Sequence, residues 1–174
     1  MQDGEDTRFA KIKPDAMRFF FTWTLQGLWV LMTASCALAG ITSANRVELG
    51  LFDSIGLALF VGGFLIEAVA DHQKRVFRAQ EGAGGFITTG LWAYSRHPNY
   101  FGEIMLWCGI ALLALPTFSG WQWVTLVSPL FVYVLLTRIS GVPLLERKSD
   151  KRWGEDPEYQ AYKARTPVLM PWAR

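Results

Sequence analysis

The chain has 174 residues, of which 51% are hydrophobic and 18% are charged, and its formal net charge is +2. No charged residue occurs from Phe19 to Asn45 or from Ile104 to Thr137. Charge-free runs of that length are typical of bilayer spans, so the sequence indicates an integral membrane protein. A cleaved signal peptide fits poorly, because the first 18 residues are polar and the apolar run after them is too long. The net charge says little by itself, and we expect no nucleic-acid partner.

The two cysteines predict neither a disulfide nor a metal site. Cys36 and Cys108 lie far apart in separate apolar runs, without a CxxC spacing. The only histidines are His72 and His97, which are too far apart in sequence to indicate a metal cluster. We therefore expect reduced thiols and no bound metal.

Four apolar segments predict an all-α fold, a multi-pass transmembrane helical bundle that forms one domain over residues 1–174. The predicted spans are 19–41, 51–71, 100–115 and 121–137, between a cytosolic leader at 1–18 and a cytosolic tail at 138–174. At 1.5 Å per residue the first span is about 34 Å long, which is enough to cross a bilayer.

The distribution of basic residues predicts the orientation of the bundle. Four spans place the leader, the loop at 72–99 and the tail on one side of the membrane. Those three segments hold every Lys and Arg of the 17 except Arg46. Because cytosolic loops are enriched in Lys and Arg, we expect both termini and the basic loops to face the cytosol.

Four charged residues share one face of the helix that leaves the second span. Glu67, Asp71, Arg75 and Arg78 follow each other at spacings of 4, 4 and 3, which places them on a single helical face. Two interpretations stay open: a ladder of intrahelical salt bridges, or a polar wall whose arginines bind phosphate through forked hydrogen bonds.

The most informative segment is 90–103, called the elbow below, at the start of the third span. Within ten residues it concentrates Tyr94, Ser95, Arg96, His97, Asn99, Tyr100 and Glu103. Such groups are costly to bury near a membrane without partners, so we expect the elbow to contact a polar ligand. Asn99 follows Pro98 where an N-cap of the third span is expected, with Glu103 one turn later.

The tail carries a second set of candidates. Arg138 ends the fourth span, and 141–143 (Gly-Val-Pro) is expected to interrupt the helix there. Tyr159, Tyr162 and Arg165 recur at spacings of 3 and 3, so they share a helical face. We expect the tail to fold back over the elbow.

Together these segments resemble the membrane proteins grouped with the C-terminal domain of the steroid 5α-reductases and the related sterol double-bond reductases. The resemblance rests on the elbow and Trp107, on 138–146, on the Tyr-x-x-Tyr of 159–162, and on 165–172. It implies an enzyme that transfers a hydride from NADPH to an activated carbon-carbon double bond of a lipophilic substrate.

The resemblance also implies the residues of the NADPH site, while it leaves the catalytic residues unassigned. Asn99 and Glu103 lie near the nicotinamide, with Tyr94 beside them. Asp71 faces ribose or amide groups, and the phosphates meet Arg75, Arg78, Arg138 and Arg165. His97 matches the sterol reductases but not the steroid branch.

The resemblance implies that one part of the active site comes from helices other than these four spans. In the steroid branch, helices that precede this region supply a glutamate and a tyrosine that polarise the substrate carbonyl. Hydride transfer needs such a proton donor as well as a cofactor. Interpretations left open are a fragment of a longer chain, a second chain that supplies these helices, and altered chemistry.

Two other functions remain open from the sequence. The run at 96–102 (Arg-His-Pro-Asn-Tyr-Phe-Gly) also resembles the S-adenosylmethionine-dependent membrane methyltransferases of the isoprenylcysteine carboxyl methyltransferase type. Asn99, Glu103 and Trp107, together with the Gly-Val-Pro break, favour the reductase. The third possibility is a non-catalytic membrane protein with the same fold.

Overall fold

The computed structural model of the chain contains helices and no strand in the residues that it describes, which are 12, 14–45, 47–81 and 84–170. Four of its helices are long and apolar enough to cross a bilayer. The predicted all-α multi-pass bundle is therefore confirmed. Predictions that involve most of the leader, Arg46, or Trp172 concern residues outside the described ranges.

The helices follow one another with short connections. The α-helices are α1 (Ala16–Thr42), α2 (Leu51–Glu81), α3 (Pro98–Ala114), α4 (Val127–Val134), α5 (Gly141–Trp153) and α6 (Pro157–Arg165). Short 3-10 segments occupy Gly90–Ala93, Leu115–Thr117 and Gly120–Leu126, and a π-helical turn occupies Leu135–Ile139. Asp15 caps α1 by accepting hydrogen bonds from the amides of Met17 and Arg18, both at 3.1 Å.

The start of α3 differs from the sequence prediction. Asn99 is not the N-cap: the helix begins at Pro98, and the capping position belongs to His97, whose side chain makes no capping bond. Proline is favoured at the first helical position because it needs no amide donor there. The polar side chain of Asn99 therefore lies inside the first turn of α3, free of a capping role.

The sequence predicts a single span at 121–137, but in the structure this fourth span is not one continuous α-helix. It runs through the 3-10 segment, α4 and the π turn, and then bends at Ser140. The interruption predicted at 141–143 is therefore misplaced by one residue, and these three residues form the first turn of α5. Buried polar side chains tie its start to α1. Gln122 Nε2 donates to the Ala39 carbonyl at 3.1 Å, and Ser128 Oγ donates to the Thr33 carbonyl at 2.5 Å. Such bonds between helices satisfy polar groups that a bilayer cannot.

A glycine seam lets α2 and α3 pack with their backbones in contact. Gly56 and Gly63 on α2 face Gly109 and Gly102 on α3. A Cβ atom added at Gly63 would lie 2.5 Å from the Gly102 carbonyl oxygen, and one added at Gly109 would lie 2.5 Å from the Phe60 amide nitrogen. Small residues at such a crossing allow the close approach on which helix association in membranes depends.

Helix α3 is the centre of the bundle, since it packs against α1, α2 and α4. At one end of the bundle, the Thr117 carbonyl accepts hydrogen bonds from Ser43 Oγ at 2.7 Å and Asn45 Nδ2 at 3.1 Å. The elbow, α5 and α6 gather at the other end. That end carries the candidate site.

Candidate functional site

The elbow is fixed against α2 by one turn and two side chains. Gly90 has φ +61°, a left-handed conformation that favours glycine. Gln73 Oε1 accepts from the Leu91 amide at 3.0 Å, and Trp92 Nε1 donates to the Ala70 carbonyl at 3.1 Å. These bonds place the polar part of the elbow at the membrane edge of α2.

The tail folds back over the elbow, as the sequence suggested. The Arg96 amide donates to the Pro167 carbonyl at 2.9 Å, and Ser95 Oγ donates to the Leu169 carbonyl at 2.8 Å. The hydroxyl of Tyr162 donates to the Trp92 carbonyl at 2.7 Å. The main chain of the elbow is thus held from both sides, by α2 and by the tail.

Glu146 on α5 is the centre of a charged cluster beneath the tail. Its Oε2 lies 2.5 Å from Arg96 Nη1, and its Oε1 lies 2.8 Å from His97 Nε2. Lys163 Nζ lies 3.5 Å from the same carboxylate and 2.5 Å from Asp150 Oδ1. A single carboxylate thereby joins the elbow, α5 and α6.

His97 is buried, yet only half of its hydrogen-bonding capacity is used. Its side chain is 7% exposed, and its ring stacks on Tyr100 at a centroid distance of 5.6 Å. Its Nδ1 has no hydrogen-bond partner among the described residues, and neither has the Nε of Arg96. A Cβ added at Gly141 would lie 2.8 Å from the Tyr100 ring, so the start of α5 is shaped to admit that ring. Buried polar atoms without partners are typical of sites that receive a ligand or water.

A cavity of about 560 Å³ opens beside this cluster, between the elbow, α2, α5 and α6. Five cationic side chains line it, while Glu146 is the one carboxylate among its lining residues. The cations are Lys74, Arg78, Arg96, Lys148 and Arg152. The aromatic lining is Phe77, Phe86, Trp92, Trp153, Tyr159 and Tyr162. The arrangement suits an anionic ligand that also carries flat rings.

Phe86 and Trp153 separate this cavity from a second hollow of about 610 Å³. Their rings meet edge to face at 5.8 Å, and Trp153 Nε1 donates to the Gly84 carbonyl at 3.0 Å. Arg165 lines the second hollow together with Asp156 and other residues. Among the lining residues of the second hollow, Arg165 is the one cation, and Asp156 and Glu158 are carboxylates. The cationic cavity therefore adjoins a more acidic hollow across one aromatic wall.

The two tyrosines of the tail are held in their neutral form. Burial raises the pKa of Tyr162 to about 12. Burial, with a further contribution from the hydrogen bond to Asp150, raises the pKa of Tyr159 to about 12. Both hydroxyls are therefore available as hydrogen-bond donors at neutral pH.

An acidic group lies on the α2 and α3 side of His97. The carboxylates of Glu67, Asp71 and Glu103 interact electrostatically with one another, and Tyr100 interacts with the last two. No ion pair joins Glu67 or Asp71 to Arg75 or Arg78 in the described part of the chain, so the salt-bridge ladder is not formed. The described residues also contain no cluster able to hold a metal ion.

Comparison with known proteins places this architecture in a family. The family model described as "Protein of unknown function (DUF1295)" matches residues 1–166. The chain belongs to the DUF1295 family. No solved structure matches it.

Three of the relatives that this DUF1295 chain matches show what it is similar to. It is 32% identical over 102 residues to the steroid 5-alpha-reductase DET2 of Solanum lycopersicum, which covers 59% of the chain and 37% of the relative. It is 46% identical over 59 residues to the human 3-oxo-5-alpha-steroid 4-dehydrogenase 1, with coverage of 33% and 23%. It is 25% identical over 187 residues to the Delta(14)-sterol reductase of Arabidopsis thaliana, with coverage of 97% and 42%.

The DUF1295 chain is therefore homologous to the steroid and sterol reductases, and the resemblance found in its sequence is confirmed. It spans less than half the length of each of these three relatives. With its four apolar helices, the homology also supports an integral membrane protein.

The structure separates the predicted site residues into groups. Arg78 and His97 line the cavity, and Arg165 lines the second hollow. Asp71 and Glu103 belong to the acidic group. The remaining four line neither hollow, and Tyr94 among them is 65% exposed. These four are Arg75, Tyr94, Asn99 and Arg138.

Several residues of the cavity were not among those predicted from the sequence. Glu146 belongs to the segment 138–146 that carries the resemblance, but nothing in its sequence neighbourhood indicates that it pairs with Arg96 and His97, 50 and 49 positions away. Lys148 and Arg152 are spaced i, i+4 with Ser149 and Trp153 beside them. That amphipathic pattern on α5 was the available signal for a helix with one face toward a site.

Proposed function

We propose that the chain is a membrane reductase that binds NADPH in the cavity between the elbow and the tail. Reduced nicotinamide supplies a hydride when it is bound. The proposed reaction adds that hydride to an activated carbon-carbon double bond of a lipophilic substrate. The homology to steroid and sterol reductases supports the reaction class.

The observation that carries this proposal is the charge of the cavity. Its lining has five Lys and Arg side chains against one carboxylate, and that carboxylate is already paired with Arg96. Phosphate groups match such a lining, since guanidinium and ammonium groups donate charge-assisted hydrogen bonds to them. The volume of about 560 Å³ lies within the range of small-molecule sites.

The residues of the cavity suggest separate tasks in binding. Arg78, Lys148 and Arg152 are exposed at its rim and would meet phosphates. Trp92 and Trp153 offer ring faces, although Lys74 and Arg152 already lie over them at 5.1 and 4.9 Å. Glu146 would hold Arg96 and His97 in position, leaving the unpartnered His97 Nδ1 to bond a ligand atom.

The acidic group suggests where the reactive end of the cofactor lies. Glu103 and Asp71 carry acceptors that match the amide and ribose hydroxyl donors of a nicotinamide nucleoside. They interact electrostatically with Tyr100, whose ring stacks on His97 of the cavity lining, so this ring pair would link the acidic group to the cavity. Helix α1 is exposed at most positions from Ala16 to Leu31, so this part of the helix faces lipid. A lipophilic substrate would approach the site from there.

The methyltransferase alternative fits this charge distribution less well. S-adenosylmethionine carries a sulfonium cation and has no phosphate, so a cavity with five basic residues would repel its positive centre. The aromatic rings of the cavity could attract a sulfonium, and that is the one feature in favour of it. Direct comparison of the two ligands separates these functions.

The test is a thermal-shift titration of detergent-purified protein with NADPH and with S-adenosylmethionine. We expect NADPH to raise the unfolding midpoint in a concentration-dependent way, because a ligand that binds only the folded state stabilises it by mass action. S-adenosylmethionine should leave the midpoint unchanged. Stabilisation by S-adenosylmethionine alone would contradict the reductase function and favour the methyltransferase function. The absence of a shift with either ligand would contradict a nucleotide site.

A pair of arginine variants locates the site. Arg78→Gln removes an exposed cation at the cavity rim and should weaken NADPH binding about tenfold, as expected for one charge-assisted phosphate bond worth about 1.5 kcal/mol. Arg147→Gln on α5 is the matched control, since Arg147 is exposed and lines neither hollow. Equal weakening by both variants would indicate a general charge effect rather than this cavity.

A further inference from the structure

The outer face of α5 carries a continuous cationic surface around one exposed leucine. Leu144 is 54% exposed, and four basic residues of the same helix are exposed beside it. They are Arg147, Lys148, Lys151 and Arg152. At 100° per residue, all five side chains fall within about 140° of the helix circumference. We call these five residues the outer face of α5.

The opposite side of α5 is already used by the protein. Leu145, Glu146, Ser149 and Trp153 line the cavity, and Glu146 pairs with the elbow. Asp150 forms an ion pair with Lys163 of the tail. The inner side therefore fixes which way the helix faces, and Arg147 and Lys151 of the outer face, which line neither hollow, lie away from the cavity.

The position of α5 brings this outer face to the edge of the membrane. The fourth span ends in the π turn at Leu135–Ile139, and only Ser140 separates that turn from Gly141, the first residue of α5. Arg138 and Ile139 at the end of the span are both exposed. A helix that starts there, with an exposed leucine in its first turn and cations along its length, has the composition of an interfacial helix.

The cations at the centre of this surface have no acidic partner within the described part of the chain. The ion pairs of the described residues do not include Arg147, Lys148 or Lys151. Lys148 and Arg152 border the cavity as well, whereas Arg147 and Lys151 do not line it. The last two are thus available to a ligand outside the cavity.

We propose that the outer face of α5 binds the headgroups of anionic phospholipids in the bilayer that surrounds the protein. The phosphates would meet Arg147 and Lys151, while Leu144 enters the acyl boundary. Basic segments next to a membrane span attract anionic lipid with about 1 kcal/mol per Lys or Arg. An exposed leucine among the cations favours a lipid over a free phosphate or an acidic protein segment.

The test measures how the protein in neutral detergent is stabilised by phosphatidylglycerol, with phosphatidylcholine of the same chains as the parallel titration. We expect phosphatidylglycerol to raise the unfolding midpoint at lower lipid concentration than phosphatidylcholine does. Lys151→Gln should weaken this response about fivefold, and the double variant Arg147→Gln with Lys151→Gln about 25-fold, from 1 kcal/mol per charge.

Three controls show whether the lipid response belongs to this surface and to lipid. Lys151→Arg retains the charge and should retain the response, and Arg18→Gln removes an exposed cation at the start of α1 and should leave the response of α5 intact. Inorganic phosphate at matched charge should not substitute for the lipid.

Equal stabilisation by the two lipids, an unchanged response in the double variant, or an equal loss in Arg18→Gln would each overturn the proposal. Stabilisation by inorganic phosphate to the same extent would overturn the proposal of lipid binding and indicate a phosphate-binding site instead. Because Arg147 and Lys151 line neither hollow, the NADPH response of the double variant reports separately on the proposed reductase function.

Discussion

At the scale of single residues, the hydroxyl of Tyr162 is the contact that joins the tail to the elbow. It donates to the Trp92 carbonyl at 2.7 Å, and burial raises its pKa to about 12. Tyr162→Phe leaves that carbonyl without its donor and should lower the free energy of unfolding by about 1–2 kcal/mol at neutral pH. Thermal unfolding in detergent measures this loss. Tyr133→Phe, at a residue of α4 with an exposed side chain, is the matched control and should be close to neutral.

The same residue predicts how stability depends on pH. The folded pKa of about 12 lies above the ordinary tyrosine value of about 10, so the neutral hydroxyl contributes stability that is fully present below pH 10. That contribution should be lost as the pH rises from about 10 to about 12. Absorbance of tyrosinate and unfolding midpoints over this interval measure it. Tyr162→Phe should show a smaller decline, because one of the two buried tyrosines of the tail has been removed while Tyr159 remains. If Tyr162→Phe removed tyrosinate absorbance that appears near pH 10 in the folded protein, the result would contradict a buried contact of Tyr162.

Single residues also show where sequence reasoning about the site reached its limit. The density of polar groups in the elbow predicts a ligand site there, and Arg96 and His97 of this segment line the cavity. Asn99 was assigned the capping position, but Pro98 shifts the helix start and gives that position to His97. The partner of both elbow residues, Glu146, lies about 50 positions away and belongs to another helix. Local spacing carries no information about such a pairing.

At the scale of helices, the glycine seam between α2 and α3 is the contact on which the position of the elbow depends. Gly63→Ala would place a Cβ 2.5 Å from the Gly102 carbonyl oxygen and 2.6 Å from the Leu106 amide nitrogen. Neither backbone atom can move away without shifting a helix, so we expect destabilisation of about 1–3 kcal/mol. Unfolding midpoints in detergent measure it.

Gly27→Ala on α1 provides the matched control for the seam. A Cβ at Gly27 has nothing within 4 Å, so alanine there should be neutral or stabilise the helix by up to about 1 kcal/mol. If Gly63→Ala proved as harmless as Gly27→Ala, the two helices would not be in backbone contact.

The sequence predicted the location of the membrane-spanning helices better than their internal form. Apolar runs in the sequence predicted four helices long enough to cross a bilayer, because the length of such a run follows from the thickness of a bilayer. The internal form of the fourth segment could not be predicted in this way. Its 3-10 start accommodates Gln122, which bonds to Ala39 on α1, and its π turn precedes the bend at Ser140. Both features depend on contacts with other helices rather than on local propensity.

At the scale of the whole molecule, the one-sided distribution of Lys and Arg is the feature that organises the chain. The described parts of the loop at 72–99 and of the tail meet at one end of the bundle. In the sequence, these two segments hold 12 of the 17 basic residues. Sequence alone suggested that shared side through the alternation of spans. The cavity that their meeting creates could not be foreseen, because its shape is set by the aromatic contacts of Phe86 with Trp153, Tyr159 and Tyr162.

The orientation of this basic end is tested by labelling single cysteines in intact cells. Because basic segments remain on the cytosolic side, Ala164→Cys on the exposed surface of α6 should react with a membrane-impermeant maleimide only after the cells are permeabilised. Leu49→Cys, at an 88% exposed position between α1 and α2, should react before permeabilisation. The parent protein should show little reaction, since Cys36 is buried and Cys108 is half-buried within α3. Reaction of Ala164→Cys in intact cells would show that the predicted orientation is wrong and that the cavity does not open to the cytosol.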